Sequence, residues 1–373
     1  MTCREHDREC AGYPLRVRIA MLSPPWIPVP PPAYGGIEEV VRLLCEGLMA
    51  RDHDVTLFAP PGSESRAEVL PVLEEPYPDD IEKAQFEVDH VASAFATIDA
   101  AAGDGRPYEV IHDHTGHSAL AMADRVSAPL VHTLHGPFTQ EACRFYARHG
   151  RKACIVAISQ AQLDAAPPEM GGGRVVHNPI ELDEWPFRAE KDDYVLWIGR
   201  MSPDKGPHRA IVAAREAGVR LLLAGPVQPG QEAFFAEEVE PHIGTDGIEY
   251  VGEADAEAKR GLYQRARALL MPIRWPEPFG LVMVEALASG TPVIAFPEGS
   301  APEIVEDGRT GFVVDDEHAM AAAIGRLGEI DADTCRRTCQ ERFSVEAVVR
   351  GYEDVYRAAV SARSAARLSP SGA

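Results

Sequence analysis

The sequence has no apolar run of the roughly 18 residues a helix needs to cross a bilayer. Its opening segment, Met1 to Pro14, is charged and has no apolar core of the kind a secretory signal requires. The expected address is therefore the cytoplasm, with residues 1–14 a leader extension ahead of the fold. Cysteine is sparse and unpatterned: Cys3, Cys10, Cys45, Cys143, Cys154, Cys335 and Cys339 make an odd count with no C-x-x-C pair. That argues against structural zinc and for reduced thiols. Positive charge is scarce too. Thirty-six Lys and Arg stand against 58 Asp and Glu, a formal charge of −22. Nucleic-acid binding depends on cations that neutralise phosphates, so it is excluded as a whole-surface activity. Membrane contact is at most peripheral. Any phosphate ligand must be held by a few well-placed basic residues.

Several sharp motifs are missing as well. No G-x-G-x-x-G follows a strand, which disfavours a nicotinamide enzyme, and there is no G-x-x-x-x-G-K-[ST] loop. No G-x-S-x-G elbow occurs. D-x-D appears as Asp52-His53-Asp54, ahead of a strand, and as Asp331-Ala332-Asp333, between late helices; neither suits a metal–diphosphate site.

What is present is a long alternation of strands and helices. The 373 residues, 45% hydrophobic and 25% charged, suit two soluble globular domains. Arg16–Leu22 reads as a strand and Ser23–Ala33 as a Pro-rich loop. Gly35-Gly36 opens a helix with Val40, Val41, Leu44 and Leu48 on one face. Strands follow at Asp54–Ala59, Tyr108–His112, Pro129–Leu134 and Cys154–Ile158, with Pro61–Asp80 a loop and a helix from about Ile81 to Ala102. The pattern pauses near Leu182–Glu190 and restarts with strands at Tyr194–Ile198, Arg220–Ala224, Ile248–Val251, Ala268–Ile273 and Pro292–Phe296. Domains are expected at residues 1–185 and 186–343, with 344–373 a terminal helix and a frayed tail from Ser361. Such alternation implies an α/β fold with parallel sheets covered on both faces, and two runs of it imply two Rossmann-like domains facing each other across a cleft. Ligands of open α/β sheets bind beyond the carboxyl ends of the strands.

Three groups of residues fall in such loops. Gly199-Arg200 and Lys205-Gly206 follow the first strand of the second domain; two cations five residues apart before a helix suit a diphosphate. Trp275-Pro276-Glu277-Pro278-Phe279-Gly280-Leu281-Val282-Met283-Val284-Glu285 follows Ala268–Ile273. Gly280 admits close backbone approach, the N–H groups from Phe279 to Val282 are the open donors of a helix start, and Glu285 is placed to take the cis-diol of a ribose. In the first domain, Gly35-Gly36 and His135-Gly136 follow strands, and His135 would face the cleft. His132 should point to the opposite face, as a satisfied core histidine. His112, Asp113, His114 and His117 crowd another strand end. H-x-H can chelate, but no carboxylate or Cys in ligand spacing completes a metal set, so an acceptor-pocket or structural role is expected.

Taken in order, E-x7-E (Glu277 to Glu285 in EPFGLVMVE), GR…KG (Arg200, Lys205), Gly35-Gly36 and His135-Gly136 resemble family 4 of the retaining, GT-B-fold glycosyltransferases across nearly the whole chain. The resemblance implies a hexosyltransferase that uses a nucleotide-diphosphate sugar, most often a UDP-sugar, with no cofactor and no catalytic metal. It implies that Arg200 and Lys205 hold the diphosphate, Glu285 the ribose and Glu277 the transferred sugar. The Phe279-Gly280-Leu281 backbone would touch sugar and phosphate, Gly35-Gly36 would close on the diphosphate, and His135 would lie near the reacting centre. Asn178-Pro179-Ile180-Glu181 departs from the N-G-[IV]-D common at that point. A nucleotide-sugar epimerase or isomerase, or a non-catalytic nucleotide-sugar-binding protein, fits the same architecture. Acceptor and oligomeric state stay open.

Overall fold

A computed structural model of the protein describes residues 16–32, 35–81 and 83–368, with side chains to residue 363. The expected leader, with Cys3 and Cys10, lies outside the described residues. Seven parallel strands form the first sheet: β1 (Arg18–Leu22), β2 (Asp54–Phe58), β3 (Glu68–Leu70), β4 (Val110–Asp113), β5 (Leu130–Leu134), β6 (Cys154–Ala157) and β7 (Arg174–Val175), in the order 3-2-1-4-5-6-7. Six more form the second: β8 (Val195–Ile198), β9 (Leu221–Ala224), β10 (Ile248–Tyr250), β11 (Leu269–Met271), β12 (Val293–Ala295) and β13 (Gly311–Val313), in the order 10-9-8-11-12-13. The central strands are apolar on both faces because helices cover both: every residue of β9 is buried, as is every residue of β5.

The strand order reverses direction between β1 and β4 in one sheet and between β8 and β11 in the other. At such a switch point the flanking loops diverge and leave a crevice. The loops after β1, β4, β8 and β11 carry Gly35-Gly36, His114, Arg200 with Lys205, and Trp275–Gly280, so both crevices are furnished by the residues singled out above.

Three elements differ from expectation. The segment Pro61–Asp80, read as loop, contains β3, which pairs in parallel with β2 through Thr56–Glu68, Leu57–Val69 and Phe58–Leu70. The sequence pattern assigned no helix between β5 and β6, where Gln140–His149 stands; its narrow apolar stripe, Ala142, Phe145 and Tyr146, packs on the core of the first sheet, with only Tyr146 fully buried. The tail expected to fray from Ser361 continues as part of one helix, Val345–Leu368.

That last helix belongs to the core of the first sheet. Val348, Val349, Tyr352, Val355 and Tyr356 pack with Val40, Val41, Leu44 and Leu48 of the helix Gly36–Met49. The chain therefore passes between the two sheets twice, around Ile180 and around Ser344. The two passages lie side by side, joined by a bridge between Ile180 and Ser344 and by Ile180 N–H donating to Phe343 O at 2.8 Å. Charged clasps add to this. Glu184 accepts from Arg42 at 2.7 Å and from Arg260 at 2.8 Å. Glu303 accepts from Gln160 N–H at 2.7 Å and contacts His177 Nε2 at 2.6 Å.

Candidate functional site

The cleft wall on the second sheet is built from two loops that brace each other. Lys205 sits just ahead of the helix Pro207–Ala217, and its carbonyl accepts from Trp197 Nε1 at 3.1 Å, which ties the loop to β8. Its ammonium meets Glu277 Oε2 at 2.5 Å and lies 4.5 Å above the Trp275 ring. Trp275 Nε1 donates to the same carboxylate oxygen at 3.0 Å. A mostly buried ion pair thus grips one indole, the cation over its face and the anion at its N–H edge, an arrangement that binds charge in a partly dry site. Arg200 is different. Its side chain is 43% exposed, and among the described residues its guanidinium has only long contacts, to Gln228 at 3.4 Å and Asp204 at 3.7 Å.

The segment after β11 then turns into the helix Leu281–Ala288. Gly280 makes the turn at φ +74°, and a β-carbon there would strike Met283 and Met271. Met283 N–H is the first to bond back, to Gly280 O at 3.0 Å, so the donors ahead of it are the open start of a helix. Phe279 is buried core, and its carbonyl accepts from Ser300 Oγ at 2.7 Å. Ser300 N–H donates to Glu277 O at 3.0 Å. Gly299 makes this possible: at φ +55° it lies so close to Glu277 that a β-carbon would come within 2.3 Å of the Glu277 carbonyl oxygen.

Glu285, eight residues past Glu277, is buried on the same helix. Lys259 donates to its Oε1 at 2.8 Å, and Lys259 itself lies 5.2 Å over the Trp185 ring. Its other oxygen, Oε2, is buried with no partner of hydrogen-bond geometry among the described residues. The fully buried Tyr263 hydroxyl lies beside this carboxylate, its ionisation pushed far up by burial, by the Glu285 charge and by hydrogen bonding to Glu285. With Lys259 on one oxygen and Tyr263 alongside, the carboxylate still has lone pairs free for a ligand's donors.

Across the cleft, Gly36 begins the first helix, and a β-carbon on it would lie 3.4 Å from Leu281 Cδ1. The glycine loop of the first domain and the helix start of the second are therefore in contact range. Glu38, one turn in, is buried and pushed up to about 7 by that burial.

The histidines at the ends of β4 and β5 form a hydrogen-bonded bed. His132 contacts Asp113 at 2.5 Å and Tyr146 at 3.0 Å, and Asp113 accepts in turn from Thr115 N–H and Oγ1, so His132 is the satisfied core histidine expected. His112 contacts Tyr356 at 2.7 Å and Thr133 at 2.9 Å, and Thr133 contacts Tyr352 at 3.0 Å. His114 Nδ1 lies 2.8 Å from Nε2 of the half-buried His135. Burial lowers His112 and His114 well below the usual histidine range; burial and the neighbouring His132 lower His135. His117 is exposed and packs edge-on against Phe145. Among the described residues no three His, Cys, Asp or Glu side chains converge as a metal site.

Of the residues singled out from sequence, the structure joins Lys205 to Glu277 and brings Gly36 within reach of Leu281, while His112, Asp113 and His132 are buried core and Arg200 meets only Gln228 and Asp204 among the described residues. Sequence reasoning missed Lys259, Tyr263, Gly299, Ser300 and the His114–His135 contact. Applied to β12, the strand-end rule would have found Gly299-Ser300, which follow it. Lys259 and Tyr263 sit on the helix Ala256–Arg265 with no motif to mark them.

Two facing Rossmann-like sheets, with a wall of cations, carboxylates and helix-start donors on the second, define a GT-B glycosyltransferase. Residues 34–184 match the model of Glycosyltransferase Family 4, and residues 180–341 that of Glycosyl transferases group 1. The chain belongs to this family of GT-B, family 4-like glycosyltransferases. It is 26% identical to a glycogen synthase of Mycobacterium tuberculosis, over 92% of this chain and 95% of the relative. It is 26% identical to a D-inositol 3-phosphate glycosyltransferase of Mycolicibacterium smegmatis, over 80% of each. The crystal structure of AviGT4, a glycosyltransferase involved in avilamycin A biosynthesis, superposes with a TM-score of 0.70 at 25% identity, over 92% of this chain and 98% of that one.

Proposed function

We propose that the protein transfers a hexose from a nucleotide-diphosphate sugar, a UDP-sugar, to an acceptor hydroxyl with retention of configuration and without a metal. The buried Glu285 carboxylate, whose Oε2 has no partner of hydrogen-bond geometry among the described residues, is the observation that carries this reading. A ribose cis-diol donates to that oxygen, while Lys259 holds the other oxygen in place. From a ribose at Glu285, the diphosphate extends along the helix start toward Lys205 and Arg200. On binding, Lys205 exchanges Glu277 for phosphate oxygens, and Glu277, released, takes hydroxyls of the sugar. The loose Arg200 closes over the diphosphate, and Gly35-Gly36 backs it from the other domain.

The bond between the sugar's anomeric carbon and the β-phosphate oxygen breaks as the acceptor oxygen bonds that carbon on the same face. The acceptor proton passes to the departing phosphate. Charge grows on that phosphate in the transition state, where fixed cations and N–H dipoles act most strongly. Glu285→Gln keeps the shape but removes the charge, and charge-assisted hydrogen bonds contribute about 1.5–3 kcal/mol each. Calorimetry is expected to show UDP binding weakened by about ten- to a hundredfold. Unchanged affinity would remove Glu285 from the ribose site. Incubation with UDP-glucose alone separates this reading from an epimerase, which would convert the donor without any acceptor.

A further inference from the structure

His114 and His135 stand at the ends of neighbouring strands with His114 Nδ1 2.8 Å from His135 Nε2. Both are nitrogens, so one must carry the hydrogen and the other accept it. Both rings are held neutral by their surroundings, which leaves one N–H on each. The other two nitrogens decide the arrangement. His114 Nε2 is buried and has no partner among the described residues. His135 is half-buried, and its Nδ1 is not among the sealed, unpartnered atoms.

If His135 Nε2 carried the hydrogen, His114 would have to place its own on Nε2, a buried N–H with nothing to receive it. If His114 Nδ1 carries it, the buried Nε2 is only a bare lone pair. Buried N–H groups without acceptors are the rarer case in folded proteins. We therefore propose that His114 is a positioning residue that donates through Nδ1 and holds His135 as its neutral Nδ1–H tautomer, so that His135 offers the cleft a hydrogen-bond donor. The bed beneath keeps this geometry: the His112 ring is 4.2 Å from the His114 ring and is itself fixed by Tyr356 and Thr133.

A donor at His135 serves a sugar hydroxyl or a phosphate oxygen. It does not take the acceptor's proton, which goes to the departing phosphate as above; no proton leaves or joins His135. The inference rests on the proposed transferase reading for its consequence, but its test does not need turnover. In nitrogen-15 histidine-labelled, ligand-free protein near neutral pH, two-bond proton–nitrogen correlations report which ring nitrogen bears hydrogen, and a His135→Asn sample assigns the signals. The expected result is Nδ1–H for His135 in the wild type and in His114→Asn, whose amide N–H replaces Nδ1–H, and a change to Nε2–H in His114→Leu. In His114→Leu kcat should fall about a hundredfold, the scale of losing one aligned donor, while the KM for donor stays within about twofold; His114→Asn should restore most of it. An Nε2–H or cationic His135 in the wild type overturns the proposal, and that spectrum decides the matter even where His114→Leu fails to fold. Absence of turnover with the expected tautomer in place would instead count against the transferase reading.

Discussion

His90, His112, His114 and His135 are all held below the ordinary histidine range of about 6.5, His90 at about 4 and His135 at about 3, chiefly because burial disfavours the cation. The unfolded chain then takes up protons that the folded one refuses. Stability from these groups is full above pH 6.5 and is lost as pH falls from there toward their folded values, by at most about 1.4 kcal/mol per pH unit for each. Glu38 works the other way: raised to about 7, it favours the folded state as pH falls from 7 to its usual 4.5, but it is one group against four. Scanning calorimetry should therefore show a melting temperature that drops between pH 7 and pH 5. A flat or rising profile would mean that the histidine bed is solvated. Lys205→Ala is expected to lower kcat by about a hundred- to a thousandfold, the effect of deleting one fixed donor to a developing anion, with near-native circular dichroism.

At the scale of elements, the loop Trp275–Gly280 keeps its shape because Gly299 and Ser300 hold its backbone. Gly299→Ala places a methyl against the Glu277 carbonyl, so the loop must move. Turnover should fall at least tenfold, since small displacements of a reacting group are costly, while the melting point shifts only modestly. Tyr356→Phe tests the terminal helix. It strips His112 Nδ1 of its buried partner, at about 1–3 kcal/mol, readable from urea unfolding.

These elements also show how far the sequence speaks. The placement of Arg200, Lys205 and Glu277 in strand-end loops was legible because the spacing of the strands was plain, and Glu285 stood out through its E-x7-E spacing from Glu277. β3 was not, because three residues of edge strand among prolines carry too little pattern. The helix Gln140–His149 was not, because its apolar stripe is only three residues wide, Ala142, Phe145 and Tyr146. Lys259, Ser300 and His114 draw their meaning from a partner 21 to 26 positions away in the chain, on another element, and no local pattern encodes that.

For the whole molecule, a donor that touches both domains should stabilise the closed form. UDP at a hundred times its dissociation constant is expected to add about 2.7 kcal/mol to folding stability, seen as a rise in melting temperature. Small-angle scattering should show a smaller radius with UDP than without; no change in either would argue against the cleft as the nucleotide site. The paired passages at Ile180 and Ser344 set how that closing can proceed. A single tether would act as a swivel, letting one body roll, yaw and slide against the other. Two tethers stitched edge to edge behave as a door hinge and leave one easy rotation, about the line through the stitch. Every approach of Gly36 to Leu281 then follows the same arc, so the two halves of the cleft arrive already aligned rather than having to find each other.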